Sequence, residues 1–199
     1  VESPKFSPVD AARIAWSGSA KLPAASITDA WSTQEWVRFL EAMPETLKPE
    51  QLAQLDEAYK LTGTPNGEIA QRWYPLAERS GYRQARSEMG KFLERVGRRK
   101  LIMPTYTALA ASEDGLAFAK QVFERARPGY HPITTGSVEK VIAEAKPVAR
   151  EVPAAKRSAE GDSAQEADVP AKGALKVKGQ MGKPPLIEDP AKPPAAATQ

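Results

Sequence analysis

The sequence contains no cysteine and only one histidine, His131, among its 199 residues. Without cysteine the chain has no disulfide framework, no thiolate metal site and no cysteine nucleophile, and its redox compartment is left open. With one histidine it has no two-histidine zinc motif, and a Ser-His-Asp triad would depend on that single imidazole. We therefore predict no catalytic and no metal-binding residue in this chain, and we expect His131 to be a structural hydrogen-bonding group at a helix start.

Long apolar runs and a strong charge of one sign are also missing. Apolar stretches last only a few residues, whereas a membrane-spanning helix needs about 20. The 28 basic and 25 acidic residues leave a net charge of only +3, which is too small to steer a polyanion. We therefore expect neither a nucleic acid nor a membrane as partner. Because residue 1 is Val1 and no leader follows it, we interpret the chain as a piece of a larger polypeptide whose compartment is undetermined.

The composition changes sharply near residue 142. All 14 aromatic residues precede this point, whereas residues 143–199 are rich in alanine, lysine and proline. Such a segment has too little apolar surface to offset the entropy of ordering its backbone. We predict a folded domain at residues 1–142 and a disordered low-complexity tail at residues 143–199.

Apolar residues in the domain recur with helical spacing, and helix start and stop signals repeat along it. Ser32 and Glu35 form a capping box, Asn66 and Ser112 are cap residues, and a last helix is expected from about Pro132 to Ala143. Because helix starts recur about every 15–17 residues from 32 to 112, we predict an all-α fold. Its architecture is an α-α superhelix of HEAT- or armadillo-like helical hairpins.

Three details of this prediction concern proline and glycine. Pro75 is expected to kink or shorten its helix. Gly97 is expected to be a left-handed C-terminal residue of a helix over residues 82–96. A break in the helix at 98–103 should then precede a short helix that begins at Pro104.

Basic residues are concentrated between residues 79 and 100: Arg79, Arg83, Arg86, Lys91, Arg95, Arg98, Arg99 and Lys100. Most of them are expected to form the solvated face of a helix. If residues 98–100 are extended, Arg98 and Lys100 lie on one side, about 6–7 Å apart, and can hold one carboxylate between them. The residues alone favour the solvated face over this carboxylate site.

Two acidic pairs, Asp56-Glu57 and Glu113-Asp114, are adjacent in sequence and point apart on a helix. We interpret them as groups for solvation or helix-dipole complementation rather than as a catalytic pair.

Several short motifs together resemble the C-terminal helical domain of the leukotriene hydrolase branch of the M1 zinc aminopeptidases. They are Asn66-Gly67-Glu68-Ile69 with Arg72-Trp73, the helix end from Met89 to Gly97, Gly97-Arg98-Arg99-Lys100, Pro104 with Leu109-Ala110-Ala111, and Tyr130-His131-Pro132-Ile133-Thr134. The resemblance covers roughly residues 5–142. The chain departs from the family pattern at Arg99, where that pattern is apolar, and at Pro75, where the family helix is continuous.

The resemblance implies a helical wall on one side of a peptide cleft in a zinc aminopeptidase. The basic pair that binds the substrate's C-terminal carboxylate in the family carries over onto Arg98 and Lys100, with Arg99 as a third candidate. The zinc would be a cofactor of the parent enzyme, bound by a separate domain whose H-E-x-x-H motif is absent here. The expected partners are the N-terminal and catalytic zinc domains of the same polypeptide and a peptide substrate, and the chain alone is expected to be inactive.

A second hypothesis is a free-standing helical-repeat adaptor that binds an acidic protein segment through its basic surface at residues 79–100. An upstream H-E-x-x-H motif would favour the first hypothesis, and a start codon just upstream would favour the second.

Overall fold

The computed structural model describes residues 4–19 and 21–149, and this part of the chain folds into nine α-helices and two short 3-10 turns. The α-helices are α1 (Phe6–Ser19), α2 (Ala25–Thr28), α3 (Thr33–Glu41), α4 (Pro49–Tyr59), α5 (Gly67–Arg79), α6 (Arg86–Arg95), α7 (Arg99–Leu109), α8 (Glu113–Ala126) and α9 (Pro132–Ala143). The prediction of an all-α fold is confirmed. None of the described helices is long and apolar enough to span a membrane.

Several helix starts are fixed by the local signals that the sequence predicted. The Glu35 carboxylate accepts hydrogen bonds from the backbone N–H of Ser32 at 2.8 Å and from its hydroxyl at 2.6 Å. Asn66 accepts the backbone N–H of Glu68 at 3.0 Å. Ser112 accepts that of Gly115 at 3.1 Å in the same way. These bonds satisfy backbone donors that the first turn of a helix leaves free, which is why the helices begin there.

The helices contact one another in a two-layer pattern. α1, α3, α5, α7 and α9 pack against each other in that order, while α6 packs against α8. Each helix of the first row therefore contacts the helix two positions along the chain. This arrangement is an α-α superhelix, as predicted.

Ion pairs link successive helices of the first row. In each pair a cation of one helix binds a carboxylate of the helix before it in the row. The pairs are Arg38–Asp10 at 2.8 Å, Arg72–Glu41 at 3.3 Å and Lys100–Glu68 at 3.5 Å. The hydrogen bonds from Arg38 also lower the pKa of Asp10. These pairs are partly exposed, so they fix the relative register of the helices more than they add to stability.

The core between the layers is built from large apolar side chains. The largest fully buried ones are Trp16, Trp73, Tyr74, Tyr106, Phe39, Leu52, Leu55, Leu76, Met89, Leu93, Ile102 and Leu109. Two tyrosines bring hydroxyl groups into this core. Tyr130 donates to the backbone carbonyl of Leu93 at 2.6 Å and lies 3.2 Å from the Tyr106 hydroxyl. Burial raises the pKa of both phenols.

The structure corrects one prediction about proline and part of another. α5 continues through Pro75 as far as Arg79, so the proline does not shorten the helix, while a kink there stays a prediction. α7 begins at Arg99 rather than at Pro104, and Pro104 lies inside it. In α7 the carbonyl that loses its hydrogen bond belongs to Lys100, in the exposed first turn. Water can satisfy that carbonyl, which explains why α7 tolerates the proline.

Gly97 does not have the left-handed conformation that the sequence suggested. Positive φ values are found at Gly63 and Gly81, and Lys60 is the left-handed residue that ends α4. A side chain at Gly97 would place its Cβ 3.4 Å from the backbone oxygen of Gly129. The glycine therefore allows two loops to approach closely.

The chain continues past α9 along the surface. The backbone N–H of Val148 donates to the carbonyl of Ala111 at 3.1 Å, in an isolated bridge beside Ser112. The remainder of the predicted tail, residues 150–199, lies outside the described residues. The domain boundary at residue 142 stays a prediction.

Candidate functional site

A groove with a volume of about 870 Å³ lies beside the first-row helices, and we call it the basic groove. Three cations, one carboxylate and a mostly apolar floor line it. The charged side chains are Arg79, Arg99, Lys100 and Glu45, and the floor consists of Met103, Pro104, Thr107, Ala108 and Ala111. The groove thus combines an apolar surface with an excess of positive charge. Such a surface suits a ligand that has both carbon chains and anionic groups.

The structure places the three predicted carboxylate-binding residues at the start of α7. Arg98 is extended and directly precedes the helix, whereas Arg99 and Lys100 are its first two residues. The condition that residues 98–100 are extended is therefore met by Arg98 but not by Arg99 and Lys100. Arg99 and Lys100 line the basic groove, and Arg98 is an exposed residue next to it. That these residues bind a carboxylate stays a prediction.

The start of α7 has an unusual charge distribution for a helix. Its first turn contains no acidic residue, and three consecutive cations stand at its positive end. Each such cation opposes the helix dipole by roughly 0.3–1 kcal/mol. The free backbone N–H groups of this turn add to the positive potential. An anion bound there would relieve the repulsion.

The two helical cations of this turn contact protein groups to different extents. Arg99 donates from Nε to the hydroxyl of Ser137 at 2.8 Å, and that hydroxyl donates to the carbonyl of Ile133. Lys100 lies 3.5 Å from a carboxylate oxygen of Glu68, whose other oxygen accepts from the Gln71 amide. The Lys100 side chain is 63% exposed and its ion pair is long. It therefore keeps donors available for a ligand.

Arg79 brings a third cation to the groove from a different helix. It is the last residue of α5 and donates from Nε to the backbone carbonyl of Glu45 at 3.1 Å. That carbonyl belongs to the connection between α3 and α4. The bond therefore fixes the guanidinium plane at the edge of the groove. No local signal in the sequence predicted this role of Arg79, because Glu45 lies 34 residues away.

Two other arginines of the basic segment are occupied elsewhere. Arg83 and Arg86 both bind the carboxylate of Glu78, which is 2% exposed, at 2.6–3.1 Å. Both also contact Asp114 at 2.9 Å. The hydrogen bond from Arg86 is the main cause that lowers the pKa of Asp114. We call these four residues, Glu78, Arg83, Arg86 and Asp114, the Glu78 network. The expectation that the basic residues form a solvated face was therefore wrong for these two arginines.

The remaining candidates have structural contacts. His131 caps α9, and its Nδ1 accepts the backbone N–H of Ile133 at 3.2 Å, which confirms the structural role expected for it. Asp56 is not simply solvated, because it accepts the backbone N–H of Thr62 at 2.7 Å and the hydroxyl of Tyr82 at 2.9 Å.

The described residues do not fit a catalytic metal. No group of three or more histidine, cysteine, aspartate or glutamate side chains lies close enough together in this part of the chain to hold an ion. A zinc ion needs at least three such ligands in a catalytic site. We therefore derive no chemical step at a metal from this chain.

Comparisons with known proteins agree with the fold and the motifs. The chain is 31% identical to leucine aminopeptidase 2 of Neurospora crassa over 128 residues. This aligned region covers 63% of this chain and 19% of that protein. It is 30% identical over 128 residues to leucine aminopeptidase 2 of Pyricularia oryzae, covering 63% of this chain and 21% of that protein. It is 27% identical over 132 residues to a leukotriene A-4 hydrolase homolog of Botryotinia fuckeliana, covering 65% of this chain and 20% of that protein.

The chain thus spans about a fifth of the length of these relatives. The family model described as leukotriene A4 hydrolase, C-terminal, matches residues 31–142, which is more than half of the chain and includes the Glu78 network and the start of α7. The resemblance seen in the sequence motifs is confirmed, and the chain belongs to the leukotriene A4 hydrolase C-terminal family.

Proposed function

We propose that this chain is the C-terminal helical part of a zinc aminopeptidase and that its basic groove forms one wall of the peptide-binding cleft. In this proposal Arg98 and Lys100, assisted by Arg99, bind the C-terminal carboxylate of a short peptide. The zinc and its ligands belong to a catalytic domain elsewhere in the same polypeptide. That domain and the N-terminal domain are the partners of this chain.

The observation that carries the proposal is the charge at the start of α7. Three cations stand where the helix dipole disfavours them, beside a groove whose floor is mostly apolar. A carboxylate there accepts charge-assisted hydrogen bonds from the side chains and gains from the helix dipole. The apolar floor can contact the side chains of the peptide. Membership of the family supports the aminopeptidase context.

The alternative of a free-standing adaptor has less support. An adaptor of this kind would bind an acidic protein segment through a broad basic surface formed by residues 79–100. Arg83 and Arg86 are already bound to Glu78 and Asp114, so the charge of this surface is largely confined to the basic groove.

The test uses the full-length polypeptide that contains this chain. Hydrolysis of a tripeptide with a free C-terminus is compared with that of the same tripeptide amidated at its C-terminus. Arg98→Ala should lower kcat/KM for the free acid by about tenfold or more, because it removes a charge-assisted hydrogen bond. Lys100→Ala should have a smaller effect on kcat/KM for the free acid. Arg99 is adjacent and can replace part of the lost charge, and Glu68 already partly neutralises Lys100. The amide should be nearly unaffected by either change.

Lys91→Ala is the matched control. Lys91 is an exposed cation on α6 that pairs with Glu88 and lies outside the groove. It should leave both substrates unchanged. If Arg98→Ala lowers turnover of the acid and the amide equally while Tm stays constant, these residues do not bind the carboxylate and the proposal is refuted.

A further inference from the structure

Two guanidinium groups on different helices line the basic groove with the same arrangement of bonds. Arg79 ends α5, and Arg99 begins α7. Each donates from Nε to a protein oxygen, Arg79 to the Glu45 carbonyl at 3.1 Å and Arg99 to the Ser137 hydroxyl at 2.8 Å. Neither forms a salt bridge within the described part of the chain, and their terminal nitrogens have no protein partner there. Both arginines therefore have four N–H donors available to a ligand.

Anchoring through Nε matters because it fixes the plane of each guanidinium. A long side chain normally loses rotamer freedom when it binds a ligand, and part of this loss is already incurred here. The planar fork of an arginine also matches the two oxygens of a carboxylate. Arg79 and Arg99 are thus preorganised to bind a carboxylate, whereas a flexible lysine is not.

The charge of the groove exceeds what one carboxylate neutralises. Arg79, Arg99 and Lys100 contribute three positive charges, whereas Glu45 contributes one negative charge and Glu68 pairs with Lys100 at 3.5 Å. Arg98, directly before α7, is a fourth cation. A peptide bound only by its C-terminal carboxylate would therefore leave one positive charge without a counterion. A second carboxylate on the same peptide would complete the charge balance.

We propose that the basic groove selects peptides whose C-terminal residue has an acidic side chain. Arg98 and Lys100 bind the main-chain carboxylate with the assistance of Arg99, while Arg79 and Arg99 bind the side-chain carboxylate. The aliphatic part of that residue contacts Met103 and Pro104 on the floor. This inference rests on the proposed function, since it names the substrate class of the same site.

Three peptides separate the two proposals when they are tested on the full-length polypeptide. They are Ala-Ala-Glu, Ala-Ala-Gln and the C-terminal amide of Ala-Ala-Gln. The last two differ only in the main-chain carboxylate and test the proposed function. The first two differ only in the side-chain charge, and the unmodified protein should prefer the glutamate peptide by about tenfold in kcat/KM, as expected for a charge-assisted contact. The preference should shrink as salt is raised.

Variants then assign the preference to residues. Arg99→Met and Arg79→Met should each reduce severalfold the ratio of kcat/KM for the glutamate peptide to kcat/KM for the glutamine peptide. Glu45→Gln should raise that ratio, because it removes a negative charge from the lining of the groove and keeps the backbone carbonyl that holds Arg79. Arg125→Met is the control, since Arg125 is an exposed arginine on α8 that pairs with Glu94 outside the groove.

The outcomes are distinct. If the acid and the amide of the glutamine peptide are hydrolysed equally, the proposed function fails. If they differ but the glutamate peptide is not preferred, or the preference survives both arginine variants, the inference on acidic side chains is refuted while the proposed function stands. Arg79→Met also removes a hydrogen bond to the α3–α4 connection and could therefore change stability. For this reason Tm is measured for each variant. Arg99→Met tests the same inference at an exposed residue.

Discussion

Replacing Glu78 by glutamine should destabilise the domain strongly, although this residue lies outside the basic groove. The Glu78 carboxylate is 2% exposed and accepts hydrogen bonds from Arg83 Nη1 at 2.6 Å and from Arg86 Nη2 and Nε at 2.8 and 3.1 Å. Glutamine has nearly the same shape but no charge, and its amide nitrogen cannot accept a hydrogen bond. The substitution thus removes the central anion of the Glu78 network without leaving a cavity.

The magnitude follows from what remains around the two arginines. Breaking a buried ion pair by removing one partner costs about 3–5 kcal/mol, because the other charge is left uncompensated. Asp114 still binds both arginines, at 2.9 Å, but it is 53% exposed and its charge is partly screened. We therefore expect the lower end of the range, a loss of about 3 kcal/mol in the free energy of unfolding. For a domain of this size that is a fall in Tm of roughly 6–12 °C.

The assay is urea unfolding of the whole chain followed by circular dichroism, together with a thermal melt. Glu124→Gln is the matched control, because Glu124 is an exposed carboxylate on α8 and should change stability by less than about 0.5 kcal/mol. A fall in Tm no larger than that of the control would refute the reasoning. It would mean that Asp114 alone compensates Arg83 and Arg86.

Two further predictions concern a glycine and a tyrosine. Gly115→Ala should lower the free energy of unfolding by about 3 kcal/mol in the same urea assay, because a Cβ there collides with the Leu109 carbonyl oxygen and lies 2.7 Å from Ser112 Oγ. Gly136→Ala, in open space on α9, should instead raise stability by up to about 1 kcal/mol, and equal effects would refute the steric argument. Burial and the hydrogen bond to Asp56 raise the pKa of Tyr82 to about 12. The unfolded value is near 10, so this residue's stabilisation is complete below pH 10 and is lost as the pH rises to 12. The stability difference between the native chain and Tyr82→Phe should therefore narrow over that interval, and a constant difference would contradict the assignment.

Local signals were sufficient for much of the fold. The capping box at Ser32, the caps at Asn66 and Ser112, and the helix from Pro132 to Ala143 all depend on residues within four positions of one another. Such contacts form from the same short segment in any context, so the sequence alone predicts them.

The start of α7 was predicted wrongly because local and tertiary signals disagree there. The start lacks a favourable cap residue, and Pro104 suggested a later beginning. The buried residues Ile102, Tyr106 and Leu109 nevertheless recur at helical spacing on either side of the proline. Packing against α5, α8 and α9 outweighs the missing cap and the one lost hydrogen bond.

The Glu78 network was missed because its members are far apart in sequence. Arg83 and Arg86 are 5 and 8 residues from Glu78, and Asp114 belongs to another helix. One signal was available: Glu78 follows the buried Tyr74 by four positions on α5, so it lies on the buried face of that helix. An acidic residue on such a face requires cationic partners.

The start of α7 differs in its charge from the other described helix starts, although α1, α2 and α9 also have no acidic residue in the first turn. α3, α4, α5, α6 and α8 each have an acidic residue in the first turn, namely Glu35, Glu50, Glu68, Glu88 and Glu113 with Asp114. These residues favour helix formation through the helix dipole. α7 has cations instead, and it is the helix whose start lines the basic groove. Five starts that follow the rule show that this fold readily accommodates an acid in the first turn. These cations cost helix stability and coincide with the groove, and this supports our proposal that the start of α7 binds an anionic group.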